Sequence, residues 1–273
     1  MDAEQGDPRA RSYRLAFEDS AFLQSDEMRP LRLALEFSKA DLALIEKGIT
    51  STIVVFGSSR ILSPEQAEEA LRHAHDPAAL KRAKQQRQLS AWYQEAREFG
   101  RIVSERGGAL AADGPRQNVI VTGGGPGIME AANRGAADAG APSIGFNIVL
   151  PIDQPPNPYI TPDLTFCFHY FAIRKMHFAM RANALAIFPG GLGTMDELFE
   201  ILALKQTRKC ALMPVILFSR DYWRTIVNFD ALVELGMIDG GDAALFEIVD
   251  TAEEAWSVLV QRGVMAQTPL REP

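Results

Sequence analysis

Residues 183–197 read Asn183-Ala184-Leu185-Ala186-Ile187-Phe188-Pro189-Gly190-Gly191-Leu192-Gly193-Thr194-Met195-Asp196-Glu197. The apolar run from Asn183 to Phe188 has the pattern of a strand buried on both faces. Gly190, Gly191 and Gly193 then let the backbone turn tightly and admit a ligand where a Cβ would stand in the way. Thr194 reads as the N-cap of a helix, and helical periodicity runs from Met195 to Leu204. Strand, glycine turn and helix in that order predict a βα unit. Its helix N-terminus offers free N–H groups and a positive partial charge, a seat for an anion and most often a phosphate. Glu197 stands one turn into that helix, where a carboxylate beside bound phosphate is unfavourable unless it serves the ligand. The spacing of Thr194 and Glu197 also fits a capping box, in which Glu197 returns to the Thr194 amide for stability alone.

A second unit of the same kind lies upstream. Val119 to Thr122 reads as a strand, Gly123, Gly124, Gly125, Pro126 and Gly127 as a loop, and Ile128 to Ala139 as a helix. Two such units predict two βα turns meeting at one crevice, at the carboxyl ends of parallel strands. Neither loop is followed by Gly-Lys-Ser/Thr, so neither is a Walker sequence. Neither forms a G-x-G-x-x-G fingerprint with an acid closing the next strand. A mononucleotide therefore fits the crevice better than an ATPase or NAD-enzyme reading. Glu130, near the start of the second helix, reads as an acid that complements the helix dipole.

The rest of the chain alternates in the same way. A helix is predicted over 29–47, with Leu31, Leu35, Leu42 and Ile45 at helical spacing and Gly48 as its stop. Strand 52–57 follows and opens into the small-residue turn Gly57-Ser58-Ser59. Helices are expected over 64–75 and 77–106, broken near Asp76-Pro77. The longer one carries Leu89, Trp92, Ala96, Phe99 and Val103 on one face. Strands then read at 143–149, 164–169, 213–218 and 246–249, and helices at 171–181, 222–235 and 252–262. This alternation implies a Rossmann-like, doubly wound α/β fold with a parallel sheet covered on both faces. The simplest division is an N-terminal arm and helix over 1–48 and a nucleotide-binding domain over 49–273.

Composition narrows the function. The chain has 273 residues, 47% hydrophobic and 23% charged, with a net charge of −7, which argues against a general nucleic-acid binder. Lys81, Arg82, Lys84 and Arg87 read as a solvated helix face. Cys167 and Cys210 are the only cysteines and read as core thiols in a reducing compartment. His73, His75, His169 and His177 form no H-E-x-x-H and no zinc-spaced cluster, so no metal site is expected. His169 and His177 read as core or rim residues. No apolar run approaches the ~20 residues of a membrane helix, and the first thirty residues are polar, so a cytoplasmic protein is expected.

Pro189-Gly190-Gly191-Leu192-Gly193-Thr194 with Glu197 resembles the P-G-G-x-G-T-x-x-E signature of the Lonely Guy family, nucleoside 5′-monophosphate phosphoribohydrolases often mislabelled lysine decarboxylases. Three further segments agree with that resemblance: Phe56-Gly57-Ser58-Ser59, Thr122 to Glu130, and the Arg174-Lys175 pair. It covers roughly residues 50–260. The chain departs from compact plant-type members at Asp196, which stands where those carry a second Glu. It departs again at Asp153, where a family loop usually has Glu, and in its helical stretch over 64–106, and it looks more like the larger bacterial branch.

The resemblance implies cleavage of the N-glycosidic bond of AMP or a cytokinin riboside 5′-monophosphate, giving free base and ribose 5-phosphate. It implies a catalytic Glu197 and Arg174, and a substrate site including Gly57, Ser58, Gly123, Gly124, Gly125, Lys175, Gly190, Gly191, Gly193 and Thr194. It implies a homodimer and calls for no metal or organic cofactor. The chemistry is consistent: breaking this bond builds positive charge on the ribose, which a carboxylate stabilises, and Glu197 lies about 5 Å along the helix axis from the phosphate-binding amides. Arg174 would neutralise the phosphate or support the departing base, and Lys175 would add a point charge. The rival expectation is a non-catalytic nucleotide sensor or carrier resembling molybdenum-cofactor carriers. A purely structural Rossmann-like subunit fits two phosphate loops poorly.

Overall fold

A computed structural model describes residues 12–112, 114–151, 154–210 and 213–264. The protein is built on a seven-stranded sheet of order β4-β3-β2-β1-β5-β6-β7, parallel throughout. The strands are β1 (Thr52–Phe56), β2 (Val119–Thr122), β3 (Ser143–Ile148), β4 (Thr165–Phe168), β5 (Ala182–Ile187), β6 (Val215–Phe218) and β7 (Glu247–Val249). β1, β2 and β6 are buried at every position, as expected of strands covered on both faces. From β1 the chain winds outward through β2 and β3 to β4, then returns to pair β5 against the other side of β1. The order reverses at the β1–β5 junction, and the fold is the expected Rossmann-like α/β architecture.

The helices are α1 (Arg29–Glu46), α2 (Pro64–Arg72), α3 (Pro77–Arg106), α4 (Ile128–Asp138), α5 (Phe171–Met180), α6 (Leu192–Gln206), α7 (Arg220–Ile226), α8 (Phe229–Glu234) and α9 (Ala252–Gln261). Two apolar cores lie on opposite faces of the sheet. One packs α1, α5, α6 and α7 around Phe146, Phe168, Phe178 and Trp223. The other packs α3, α4 and α9 around Phe99, Phe188 and Phe218, with Phe188 and Phe218 stacked 3.9 Å between centroids.

Several local expectations change. α1 packs through Leu33, Phe37, Ala40 and Leu44, whereas Leu31, Leu35, Leu42 and Ile45 are exposed. The helix has two apolar faces, and periodicity does not say which one faces inward. The helix expected over 222–235 is two helices, because Val227 is extended and the Asn228 side chain accepts from the Ala231 N–H to start α8. Cys167 is exposed and Cys210 half-buried, so neither is a core thiol. Cys167 lies on the edge strand β4, between the buried Phe166 and Phe168 and on the opposite face. A single helical turn, Ser20–Leu23, lies within the expected arm. Lys81, Arg82, Lys84 and Arg87 are exposed, with Arg87 paired to Glu68 at 2.8 Å. Among the described residues no helix is long and apolar enough to cross a membrane, and no group of three or more His, Cys, Asp or Glu could hold a metal ion.

α3 and α4 touch through backbone. A Cβ at Gly135 would overlap the Arg97 carbonyl oxygen, and one at Gly100 would overlap the Ala132 carbonyl. Gly135→Ala is therefore expected to destabilise the protein by about 1–3 kcal/mol, the range for overpacking a tight core. A denaturant midpoint measured against the parent chain checks this; an unchanged midpoint would mean that the two helices separate without loss.

Candidate active site

The reversal of strand order puts the β1 and β5 turns side by side. Between them opens a cleft of about 620 Å³, within the range of small-ligand sites. Gly57, Ser58, Ser59 and Arg60 line it from the β1 turn, and Gly191, Leu192, Gly193, Thr194 and Glu197 from the start of α6. Gly123 and Met129 come from the β2–α4 region, Asn147 and Ile148 from the end of β3, Leu150 and Gln154 from the loop beyond it, and Phe171 and Arg174 from α5.

α6 begins three residues earlier than expected. Its N-cap is Gly191, with no side-chain cap, and the Thr194 N–H donates to the Gly191 carbonyl at 3.0 Å. Thr194 is therefore inside the first turn, and the Thr194–Glu197 capping box does not form. The expected N-cap is corrected for a simple reason: a glycine cap leaves no side-chain signal in the sequence. Leu192 and Gly193 are the first two helical residues, whose N–H groups have no intrahelical acceptor, and both line the cleft. A Cβ on Gly191 or Gly193 would meet nothing within 4 Å, so the backbone here is open to a ligand.

Other glycines serve packing. Gly190 does not line the cleft; a Cβ there would collide with the Thr194 side chain, and its carbonyl accepts from the Tyr222 hydroxyl. Gly127, at φ +72°, lies against the Ser58 backbone, and the Ile128 N–H donates to the Ser58 carbonyl at 3.1 Å.

Gly124 and Gly125 also fall outside the cleft lining. Asn157 donates its backbone N–H to the Gly124 carbonyl at 2.9 Å and its side-chain amide to the Gly125 carbonyl at 3.1 Å. The Gly124 N–H donates to Thr122 Oγ1 at 2.9 Å. Thr122, Asn133, Ser143 and Asn157 form a buried hydrogen-bonded network that clamps the loop from behind.

Arg174 and Glu197 face the cleft. Arg174 donates Nε to the Phe146 carbonyl at 2.7 Å and lies over the Phe178 ring at 5.2 Å, leaving its terminal nitrogens toward Gly123. Burial lowers its pKa and the charge of Glu197 partly offsets that. Glu197 is 7% exposed. Burial raises its carboxyl pKa, against the opposing fields of Lys175 and Arg174, while Glu200 and Asp196 push it further up.

Lys175 does not line the cleft; it faces the neighbouring surface beside Asp196 and Glu200. Glu130 is likewise outside, accepting from the Tyr93 hydroxyl at 2.7 Å. Asp153 lies outside the described residues. Asn147 went unnoticed in the sequence, although a polar residue inside the apolar run Ile144–Ile148 was a usable signal. It is buried, with Oδ1 lacking a hydrogen-bond partner. Arg60, directly after the first small-residue turn, was equally readable.

The chain is similar to known proteins over part of its length. Residues 129–259 match the family model described as "Possible lysine decarboxylase". This stretch is similar to that family and contains the Pro189–Thr194 motif with Glu197. A relative from Escherichia coli K12, named pyrimidine/purine nucleotide 5′-monophosphate nucleosidase, is 34% identical over 135 residues, covering 42% of this chain and 28% of the relative. A rice relative (Oryza sativa subsp. japonica), named probable cytokinin riboside 5′-monophosphate phosphoribohydrolase, is 37% identical over 90 residues, covering 32% of this chain and 39% of the relative. The chain thus spans well under half the length of these curated relatives. Among solved structures, a Moco carrier protein from Chlamydomonas reinhardtii is 19% identical, with a TM-score of 0.46 over 78% of this chain and 96% of that one.

The clamp behind the β2 turn is testable. Asn157→Ala strands the Gly125 carbonyl and removes one of the two donors to Asn133 Oδ1, while the backbone N–H at 157 still holds the Gly124 carbonyl, and it is expected to destabilise by about 1–3 kcal/mol. Urea unfolding measures it; a loss below a few tenths of a kcal/mol would show that water replaces the side chain.

Proposed function

We propose that the protein hydrolyses the N-glycosidic bond of a nucleoside 5′-monophosphate, with AMP or a cytokinin riboside 5′-monophosphate as substrate. The observation that carries this reading is the placement of Glu197. A buried carboxylate opens onto the cleft one turn beyond the uncapped amides of Leu192 and Gly193, with the Arg174 guanidinium on the same cleft. The names of the E. coli and rice relatives point to the same chemistry.

In this reading the phosphate sits on the α6 amides, with Arg174 as its counter-charge. The ribose then lies beside Glu197. As the bond from C1′ to the base nitrogen breaks, positive charge gathers on C1′ and the ring oxygen. The Glu197 carboxylate stabilises that charge and accepts a proton from the attacking water. The water oxygen forms its bond to C1′ as the bond to the base nitrogen breaks, the base takes up one proton in exchange for the one Glu197 returns to solvent, and the products are free base and ribose 5-phosphate. A Schiff-base decarboxylation finds no support in the lining, because no described lysine lines the cleft. Lys175 is held by carboxylates, and Lys205 donates to the Leu245 carbonyl.

We further infer a homodimer from the family resemblance and from α1. The row Leu31, Leu35, Leu42 and Ile45 is 45–62% exposed, and a second copy of the chain is the occupant proposed for it. Light scattering should give twice the 30.0 kDa chain mass, and Leu35→Glu with Leu42→Glu should return the monomer. A monomeric parent chain would refute the inference.

Incubation with AMP should release adenine and ribose 5-phosphate, separable by chromatography. Saturable AMP binding with no base released would assign the cleft to a carrier or sensor instead. Glu197→Gln should lower turnover at least ~100-fold. The same variant separates catalysis from structure. Because burial raises the Glu197 pKa, the folded protein holds that proton more tightly than the unfolded chain. The group therefore contributes stability below the ordinary carboxylate pKa and loses it as pH rises through the raised value. At neutral pH Glu197→Gln should leave Tm unchanged or higher; a fall of several degrees would identify a structural acid.

A further inference from the structure

Lys175 follows Arg174 on α5, so the two side chains leave the helix about 100° apart. Arg174 reaches the cleft, while Lys175 turns to α6 and meets three carboxylates. Its Nζ lies 2.6 Å from Glu200 Oε2, 2.9 Å from Asp196 Oδ2 and 3.6 Å from Glu197 Oε2. The lysine side chain is 16% exposed and that of Glu197 9%. Glu197 thus has the cleft on one side and the ammonium on the other.

We propose that Lys175 is the positioning residue of Glu197, an internal counter-ion clamped by Asp196 and Glu200 that fixes the Glu197 carboxylate and touches no substrate. This rests on the reading of Glu197 as the residue acting on the nucleotide, and it reassigns Lys175 from the substrate contacts that the resemblance implies. The charges facing Glu197 are Arg174 and Lys175 from α5 and Asp196 and Glu200 from α6, with Arg60 of the β1 turn on the same cleft.

The two cations divide the work. A nucleotide phosphate draws the Arg174 charge to itself and adds negative field to the cleft, both of which disfavour an ionised Glu197. Lys175 stands outside the cleft and is not drawn away. Burial opposes its own charge, but the hydrogen bonds to Glu200 and Asp196 and the field of Glu197 outweigh that and hold its pKa above the ordinary lysine value. It therefore stays charged at any working pH. Asp196 and Glu200 keep it from closing fully on Glu197, whose oxygens remain free for ribose and water.

The test uses the full chain with 13C-labelled glutamate side chains, the Glu197 carboxyl signal being assigned by its loss in Glu197→Gln. Lys175→Met should raise the Glu197 titration midpoint by about one pH unit, and Lys175→Arg should restore it. With AMP, the acidic limb of the kcat profile should move by the same amount while KM stays within twofold. Glu200→Gln supplies the opposite sign, because it removes a like charge and frees Lys175 to approach, so the midpoint should fall. Lys175→Gln, which keeps a hydrogen-bonding side chain without the charge, should give the same rise in midpoint and decides the matter if Lys175→Met does not fold. A midpoint unmoved by these substitutions would overturn the proposal, as would a tenfold rise in KM with the midpoint unchanged, which would mark a substrate contact. Should the parent chain release no base from AMP, the functional reading fails, while the titration still decides whether Lys175 governs Glu197.

Discussion

The parallel pairing of β5 against β1 is the contact that makes a site possible in this molecule. Neighbouring βα connections on one side of that junction run over one face of the sheet, and those beyond it run over the other. The turns after β1 and β5 therefore diverge, and the space between their carboxyl ends cannot be filled by either layer of helices. Backbone contacts hold the two turns at a fixed separation. The Ser58 N–H donates to the Pro189 carbonyl at 3.0 Å, and the Phe188 N–H to the Phe56 carbonyl at 2.9 Å. Such main-chain bonds tolerate many side chains but not a change of register, so the cleft is a consequence of topology before any charged side chain is placed in it.

Given that cleft, electrostatics decides which residues can occupy its wall. A carboxylate beside a helix N-terminus gains from the dipole, but one that is 7% exposed loses most of its hydration, and the loss dominates. The structure answers with cations from a single helix, one on the cleft side and one behind. Arg174 is itself held by a carbonyl and an aromatic face, neither of which neutralises it, so its charge is left for an anion. This asymmetry, a paired lysine outside and an unneutralised guanidinium inside, is what a site for a negatively charged ligand requires.

The sheet was readable from sequence because strands covered on both faces are apolar nearly throughout, as in Val119–Val121 and Val215–Phe218. The turns after β2 and β5 were readable because glycine clusters have few other uses, and the turn after β1 from its small residues Gly57-Ser58-Ser59. What the glycines do was not. Gly191 and Gly193 face open space, yet Gly190, in the same motif, is there because Thr194 leans on it. Gly124 and Gly125 are held through their carbonyls by Asn157, which arrives from more than thirty residues away. The start of α6 was misplaced because glycine caps through its backbone alone, and the break before α8 because Asn228 acts locally against a longer periodic pattern. The pairing of Lys175 with Asp196, Glu197 and Glu200 depends on how α5 crosses α6, which no spacing along the chain encodes.

The N-terminal helix takes part in the same argument. Glu36 of α1 accepts the backbone N–H groups of His169 and Tyr170 at 2.8 and 3.0 Å, supplying to α5 the cap that its own sequence lacks. Arg32 donates to the Tyr170 hydroxyl at 3.2 Å, and the Phe37 carbonyl lies 3.1 Å from His177 Nε2 on the buried face of α5. Asp41 pairs with Arg181, just past the end of that helix. α1 therefore grips α5 at its start, middle and end. Since α5 carries both Arg174 and Lys175, the orientation of the two cations is set as much by α1 as by the sheet. An acid at the N-terminus of α5 also complements its dipole, and Glu36 does so from outside the cleft lining.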